Sequence, residues 1–343
     1  MKHLLCCAGS LLLLASCTKS SVPQYAVTLN AEGDSDGKTA YIVDFDTEEN
    51  LDSAVINQGV AVFNGPIESS RYVMMVIDGK SVGEFFLEGD SITMTEGLVK
   101  GGELNGKNSD YWGKRMSLIG EFNALPDSVK ETKADEYSSR LSDMETALRE
   151  ENIDNALGFY YFFYGPCREM NLAQLDSAIA VHPLLGEYKR VQKVRDGLIK
   201  LAETSEGKMF KDFEVTYNGS TFCLSDYVGK GKYVLVDFWA SWCGPCIRQT
   251  AVIKDLYKEY GPKGLEVIGV AVWDKPEDTL KGIESHELPW MNVLDAQSIP
   301  TDIYGIAGIP TIILFGPDGT IVSRDKQDDE LREAVAKAMD SAE

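Results

Sequence analysis

The alternation of apolar and polar positions takes three successive forms along the chain, and each marks a different kind of region. From residue 25 to about 104 the apolar residues come in short β-rich runs, at 25–29, 39–45, 60–63, 72–77, 82–87 and 92–95. Asp78-Gly79 between two of these runs is a hairpin signal. Regular short strands separated by turn residues predict a small all-β sandwich or barrel. No His, Cys or acidic cluster with catalytic spacing falls there, so this stretch reads as a binding or spacer module.

From residue 108 to about 203 the period lengthens to that of a helix. Tyr137, Leu141, Met144 and Leu148 recur at spacings of four, three and four, and Tyr188, Val191, Val194, Leu198 and Leu201 form a second stripe. Pro126 breaks the chain, and Asp127 is placed to cap the helix that carries the first stripe. Residues 157–164 are dense in aromatics, which favours a buried helix core over a substrate-binding patch. His182, beside Pro183, reads as a surface or capping residue rather than a ligand.

From Phe210 onward strands and helices alternate. Residues 213–217 and 221–224 flank Asn218-Gly219 as a small hairpin, and buried strands come next at 234–238 and 265–273. Helices are predicted to about residue 260, at 276–285, at 298–304 and at 328–342, with strands at 311–315 and 320–323 around the turn Pro317-Asp318-Gly319. Alternating βαβ units closed by an antiparallel hairpin predict a mixed central sheet with helices on both faces. The expected organisation is a leader over 1–17, a tether over 18–24, a β-rich domain over 25–106, a helical region over 107–203 and an α/β domain over 204–343. That makes an α/β C-terminal domain preceded by an all-β domain and helices.

Chemistry concentrates in one stretch, Tyr233-Val-Leu-Val-Asp-Phe-Trp-Ala-Ser-Trp-Cys-Gly-Pro-Cys-Ile-Arg248. A strand buried on both faces runs into Cys243, and Gly244-Pro245 leads into a helix beginning near Cys246. A helix N-terminus presents unpaired N–H groups and partial positive charge, which stabilise a thiolate at the first cysteine, Cys243, expected to face solvent there. The second cysteine lies one turn on, within reach of a disulfide. A lone C-x-x-C is also half of a zinc site, but the other cysteines form no second pair, and nothing here implies a metal or a cofactor. A thiol peroxidase would need Pro-x-x-x-Thr/Ser-x-x-Cys, and Val236 and Ala240 stand at the two required positions.

Charge and the remaining cysteines narrow the class further. A formal charge of −21 argues against nucleic acid as a partner, because phosphates need basic residues to neutralise them. Lys2 and the short apolar run 4–14 form a signal segment too short to span a bilayer. Cys167 and Cys223 remain as spare thiols. The apolar neighbours Phe222 and Leu224 favour two free, buried thiols over a bridge.

Three resemblances carry these readings further. Leu14-Ala15-Ser16-Cys17 resembles the lipobox of bacterial lipoproteins, which implies cleavage before Cys17, lipid on its sulfur, and a periplasm-facing, membrane-anchored protein of a Gram-negative bacterium. The β-rich stretch resembles the domain of unassigned function that precedes thioredoxin-like domains in many such lipoproteins. Trp242-Cys243-Gly244-Pro245-Cys246 matches the thioredoxin active-site motif, and the hairpin before the first core strand and the helix at 276–285 resemble the TlpA/ResA-like extracytoplasmic branch. The resemblance implies a thioredoxin-like fold and a redox-active Cys243–Cys246 disulfide. It further implies that Asp237 is the buried acid that accepts the proton of Cys246, that Pro310 is a cis-proline facing the site, and that Ile309 pairs through its backbone with an extended substrate. Trp242, Gly244 and Pro245 are implied to border that substrate. The branch usually carries Glu and Pro where this chain has Gln249 and Ala251, which leaves proton handling to Asp237 and counts against a specialised cytochrome-maturation role.

The function expected is reduction of extracytoplasmic protein disulfides, re-reduced by a membrane electron donor of the DsbD/CcdA type. The Gly-Pro pair between the cysteines goes with a potential of about −270 mV in thioredoxin, on the reducing side of the scale. A disulfide isomerase or oxidase, and a binding lipoprotein whose β-domain recruits partners, stand as alternatives.

Overall fold

A computed structural model of the chain describes residues 22–31 and 33–340, so the expected signal segment and lipobox, with Cys17, lie outside the described residues. The chain divides into two compact units at the junction between Tyr164 and Gly165.

Among its described residues the N-terminal unit has eight strands in two four-stranded sheets. Strands β1 (Gln24–Asn30), β4 (Val60–Pro66), β7 (Ser91–Thr95) and β8 (Leu98–Lys100) form one sheet in the order β4-β1-β7-β8. Strands β2 (Thr39–Asp44), β3 (Asn50–Val55), β5 (Arg71–Ile77) and β6 (Lys80–Leu87) form the other in the order β3-β2-β5-β6. Alternate residues of both sheets, among them Val27, Leu29, Ile42, Phe63, Met75, Phe85 and Met94, meet in one buried core, the pattern of a sandwich. The apolar alternation marks six of these strands. It misses β3 and β8, short edge strands that bury no side chain fully.

Three helices complete this unit: α1 (Glu103–Asn123), α2 (Asp127–Glu151) and α3 (Ala156–Tyr164). Asn105 on α1 accepts from the Phe86 N–H at 2.9 Å and donates to the Phe86 carbonyl at 2.8 Å, so its amide pairs the outer edge of β6. The aromatic helix α3 is buried almost throughout, and Tyr160 packs on Tyr72 of the sheet with ring centroids 4.6 Å apart. The stripe on α2 is half-buried rather than core, and Phe122 of α1 meets Tyr137 at 5.3 Å. Asp127 is not a side-chain cap; it is the first helical residue after Pro126 and pairs with Lys130.

The C-terminal unit begins with α4 (Leu172–Val181), opened by a reciprocal Asn171–Gln174 capping box, and α5 (Lys189–Glu203). The helical stretch expected as one region is therefore shared between the two units. A periodic stripe reveals that a helix packs, but not against what. Here the partner of α5 is α8 (Ile299–Tyr304), after which Gly305 takes a left-handed conformation that brings α5 so close that a Cβ would meet the Gly197 carbonyl oxygen at 2.4 Å.

The hairpin β9 (Glu214–Tyr217) and β10 (Ser220–Cys223) turns through Asn218 and Gly219, both with positive φ. The central sheet runs β13-β12-β11-β14-β15. Strands β11 (Tyr233–Trp239), β12 (Leu265–Ala271) and β13 (Met291–Val293) are parallel. Strand β14 (Thr311–Phe315) pairs antiparallel with β11, and β15 (Ile321–Arg324) antiparallel with β14. Helices α6 (Gly244–Tyr260), α7 (Pro276–Ser285) and α9 (Asp328–Asp340) border the face that carries Leu235 and Trp239. The opposite face packs Val234, Val236 and Phe238 against the β9–β10 hairpin and Tyr304 of α8.

Arg324, only 8% exposed, fastens α5 to this sheet. Its guanidinium donates to the Thr204 carbonyl at 2.9 Å, the Thr204 hydroxyl at 2.6 Å and the Tyr304 carbonyl at 2.8 Å. Replacing it leaves the buried Thr204 carbonyl and hydroxyl without that donor, at roughly 1–3 kcal/mol for each, while the Tyr304 carbonyl keeps the Thr204 hydroxyl at 3.2 Å. Arg324→Met is expected to lower the unfolding free energy by about 3 kcal/mol. Hydrogen exchange should quicken in α5 before it does in β11. Equal protection of α5 in variant and parent would refute the fastening role.

Candidate active site

Strand β11 ends at Trp239, and the chain turns at once: the Cys243 N–H donates to the Ala240 carbonyl at 3.1 Å. Cys243 then serves as N-cap of α6, and its Sγ accepts from the Cys246 N–H at 3.1 Å. The two cysteines are joined by a disulfide with Cα atoms 5.3 Å apart. One of the first helical N–H groups is thus aimed at the sulfur, the arrangement that favours negative charge there. Gly244 and Pro245 are exposed beside it.

Cys243 itself is only 4% exposed, which corrects the expectation of a solvent-facing sulfur. It lies in the same core cluster as Cys246, with Ile309 packed against that cluster, and its Sγ is 3.8 Å from the Ile309 carbonyl oxygen. The Ile309-Pro310 peptide is cis and both residues are half-buried. The exposed group is Trp242, at 62%, whose indole N–H donates to the Trp273 carbonyl at 3.1 Å.

The position of Asp237 results from strand alternation: it shares the face of β11 with Leu235 and Trp239, the face that Cys246 also covers. Its side chain is 1% exposed, and its Oδ1 has no hydrogen-bond partner among the described residues. Burial pushes its carboxyl up to about 7, which places a buried acid in the range where it exchanges protons near neutrality. Among the described residues no group of three or more His, Cys, Asp or Glu is arranged to hold a metal, and no helix is long and apolar enough to cross a membrane.

Residues 207–324 match the profile of the AhpC/TSA family, and residues 25–98 match a domain of unknown function, DUF4369. The thiol-disulfide oxidoreductase ResA of Oceanobacillus iheyensis is 30% identical over 36% of this chain and 64% of its own length. That of Bacillus thuringiensis subsp. konkukian is 30% identical over 35% of this chain and 69% of its own. The chain belongs to the ResA family. It spans less than two thirds of the Oceanobacillus relative. The thioredoxin domain of a thiol-disulfide oxidoreductase from Bacteroides vulgatus is 34% identical, with 39% of this chain and 96% of that domain covered, at a TM-score of 0.35.

In this ResA-family chain Gln249 has a place that its inability to titrate does not reveal. It is buried, its amide donates to Asp328 Oδ1 at 2.7 Å, and its carbonyl accepts the Asp328 N–H at 3.1 Å. It thereby bolts α6 to the start of α9. The spare thiols are unbridged, but they differ. Cys167 is buried and its thiol is pushed up to about 11 by that burial. Cys223 is half-buried on a two-stranded hairpin, which corrects its expected burial. Its thiol is raised first by desolvation and then by Asp226, Glu214 and Asp212. Ser241, Trp273 and Asp274 also border the site, although the sequence alone does not single them out. Their signal is an acid directly after a buried strand and before Lys275-Pro276, the opening of a helix.

The carboxyl of Asp237 holds its proton more tightly in the fold than in the unfolded chain. Below pH about 4 both states are protonated. Between there and about 7 the unfolded chain ionises first, so stability falls with rising pH by about 1.4 kcal/mol per pH step, and it levels off above. Asp237→Asn is therefore expected to match the parent in melting temperature at pH 4 and exceed it at pH 8. A variant less stable than the parent at pH 8 would overturn this assignment.

Proposed function

We propose that the chain is a membrane-anchored thiol-disulfide oxidoreductase that reduces disulfides of extracytoplasmic proteins. The observation that carries the reading is the Cys243–Cys246 pair at the N-terminus of α6, with a backbone N–H on the first sulfur and the Ile309 carbonyl beside it. In the dithiol form Cys243 attacks the substrate disulfide as thiolate, forming a mixed disulfide and releasing one substrate sulfur, which takes up a proton. Ile309 and Pro310 hold the bound segment, bordered by Trp242, Gly244 and Pro245. Cys246 then loses its proton to Asp237 and attacks Cys243. The second substrate sulfur leaves, and two electrons have passed from protein to substrate.

The resulting disulfide requires a donor of two electrons. A membrane reductant of the DsbD/CcdA type meets that need for a protein held at a Gram-negative periplasmic face by lipid on Cys17. Intact-mass analysis of the mature protein is expected to show acylated Cys17 as its first residue. An unmodified N-terminus elsewhere would refute the anchor.

Cys246→Ser is expected to accumulate mixed disulfides through Cys243, while Cys243→Ser traps almost nothing. Both should reduce insulin at least about 10³-fold more slowly than the parent. Mass spectrometry of the trapped species names substrate and donor together. Equal trapping by the two variants would refute the assignment of Cys243 as the attacking sulfur. A parent pool held mainly as disulfide, with substrates gaining disulfides, would make the protein an oxidase.

A further inference from the structure

The turn that carries Cys243 is Ala240-Ser241-Trp242-Cys243, and both of its central residues are held by the segment just after β12. The Asp274 carboxyl, 5% exposed, accepts from the Ser241 N–H at 2.8 Å and the Ser241 hydroxyl at 3.1 Å. It also accepts from the Lys275 N–H at 3.0 Å and the Thr279 hydroxyl of α7 at 2.9 Å. The preceding carbonyl, of Trp273, accepts from the Trp242 indole, and Trp273 takes a positive φ of 53° to present it. Gln297 donates to the Asp274 carbonyl at 2.8 Å, which anchors the anchor itself. Helix α7 closes over the same turn at Gly282, where a Cβ would come within 3.2 Å of both Ser241 Cβ and the Trp239 ring.

These contacts form one device rather than scattered packing. Four donors converge on two carboxyl oxygens, the full set that such a buried group can satisfy with good geometry. Two of them come from the residue two positions before the first cysteine. A turn fixed at Ser241 and Trp242 fixes Cys243, and so determines whether its sulfur lies under the Cys246 N–H. We propose that Asp274 is a positioning residue for the dithiol, holding the 240–243 turn so that Cys243 Sγ stays on the α6 N-terminus, with α7 as its support. The inference rests on the reading of Cys243 as the attacking sulfur.

Loss of the grip would let the sulfur leave the N–H that favours its charge, so its thiolate would form at higher pH. Charged or titratable groups near this turn among the described residues include Cys246 in the same core cluster, Asp237 on the same face of β11, and Arg248, whose Nη1 lies 4.0 Å from the Cβ position of Gly244. All of these are left intact by changes at Asp274 and Thr279. Asp274→Asn keeps one acceptor oxygen and turns an NH₂ group towards donors. Thr279→Val removes one donor without adding another, and Thr279→Ser retains it.

The experiment is the pH dependence of iodoacetamide alkylation of Cys243 in the reduced full chain, read by mass spectrometry beside insulin-reduction kinetics. Asp274→Asn is expected to raise the alkylation midpoint by about one pH unit and lower kcat/KM about tenfold. Thr279→Val should move both in the same direction by less, and Thr279→Ser should restore them. Folded variants with the parent midpoint and rate, or with a lowered melting temperature and nothing else changed, would overturn the proposal. If Asp274→Asn does not fold, the Thr279 pair decides by the same criterion. A parent protein that neither alkylates at Cys243 nor reduces insulin would instead refute the functional reading, which keeps the two failures distinct.

Discussion

A single hydrogen bond, from the Cys246 N–H to the sulfur of Cys243, imposes the tightest constraint on this molecule. It requires a helix to start within a few residues of the end of a buried strand, and it requires the intervening turn to be rigid. The strand supplies the first condition, since Val234 to Trp239 are all buried and β11 cannot shift along its two neighbours without exposing one face. Gly244-Pro245 supplies the second from the helix side, with Pro in the first turn where its missing N–H costs nothing. The far side of the turn is held by residues 273–274. The site is therefore built from the C-terminal ends of two adjacent parallel strands, the place where an open α/β sheet leaves room for chemistry.

Electrostatics at this site are set by scarcity rather than by accumulation. The chain carries a formal charge of −21, yet only Asp237 lies buried on the dithiol face of β11 with a carboxyl oxygen that lacks a partner among the described residues. Desolvation alone raises its carboxyl, so its proton affinity is set by the depth of the strand and not by a neighbouring charge. Asp274 lies close to the end of the second strand but serves the opposite end of the turn, because every one of its contacts is a donor that holds it in place. Gln249 shows the same economy. It exchanges two hydrogen bonds with Asp328, where a second carboxylate would have faced the first.

Much of this is legible in the chain because the decisive elements obey strong local rules. The β-branched run before Cys243, the hairpin dipeptides Asp78-Gly79 and Asn218-Gly219, and the Gly-Pro between the cysteines each have one economical reading. Strands β3 and β8 escape because an edge strand with both sides partly wet needs no apolar alternation. The division of the helices between two units escapes because it hangs on the Arg324 contacts with Thr204 and Tyr304, which lie 120 and 20 residues away in sequence. The burial of Cys243 escapes because a helix N-terminus is exposed by default. Its cover comes from the segment around Ile309, which the sequence places 66 residues downstream. Asp274 escapes for the related reason that a lone acid after a strand looks like any solvated turn.

The four described cysteines show how far surroundings, rather than residue type, decide thiol chemistry in this fold. Cys167 is fully buried, and that desolvation disfavours its thiolate. Cys223 is more open but is ringed by Asp212, Glu214 and Asp226, whose negative charges oppose ionisation. Cys246 is fully buried behind its partner, on the face of β11 that also carries Asp237. Cys243 alone of the four has a backbone N–H directed at its sulfur and an exposed indole beside it. Spare thiols in a redox protein risk pairing with the working ones. Here the risk is countered by raising the spare thiols' proton affinity, one through burial and the other through desolvation reinforced by acidic neighbours. The same physical principle, that a thiolate forms only where its charge is solvated or paired, favours the sulfur at the tip of α6 over the two spare thiols.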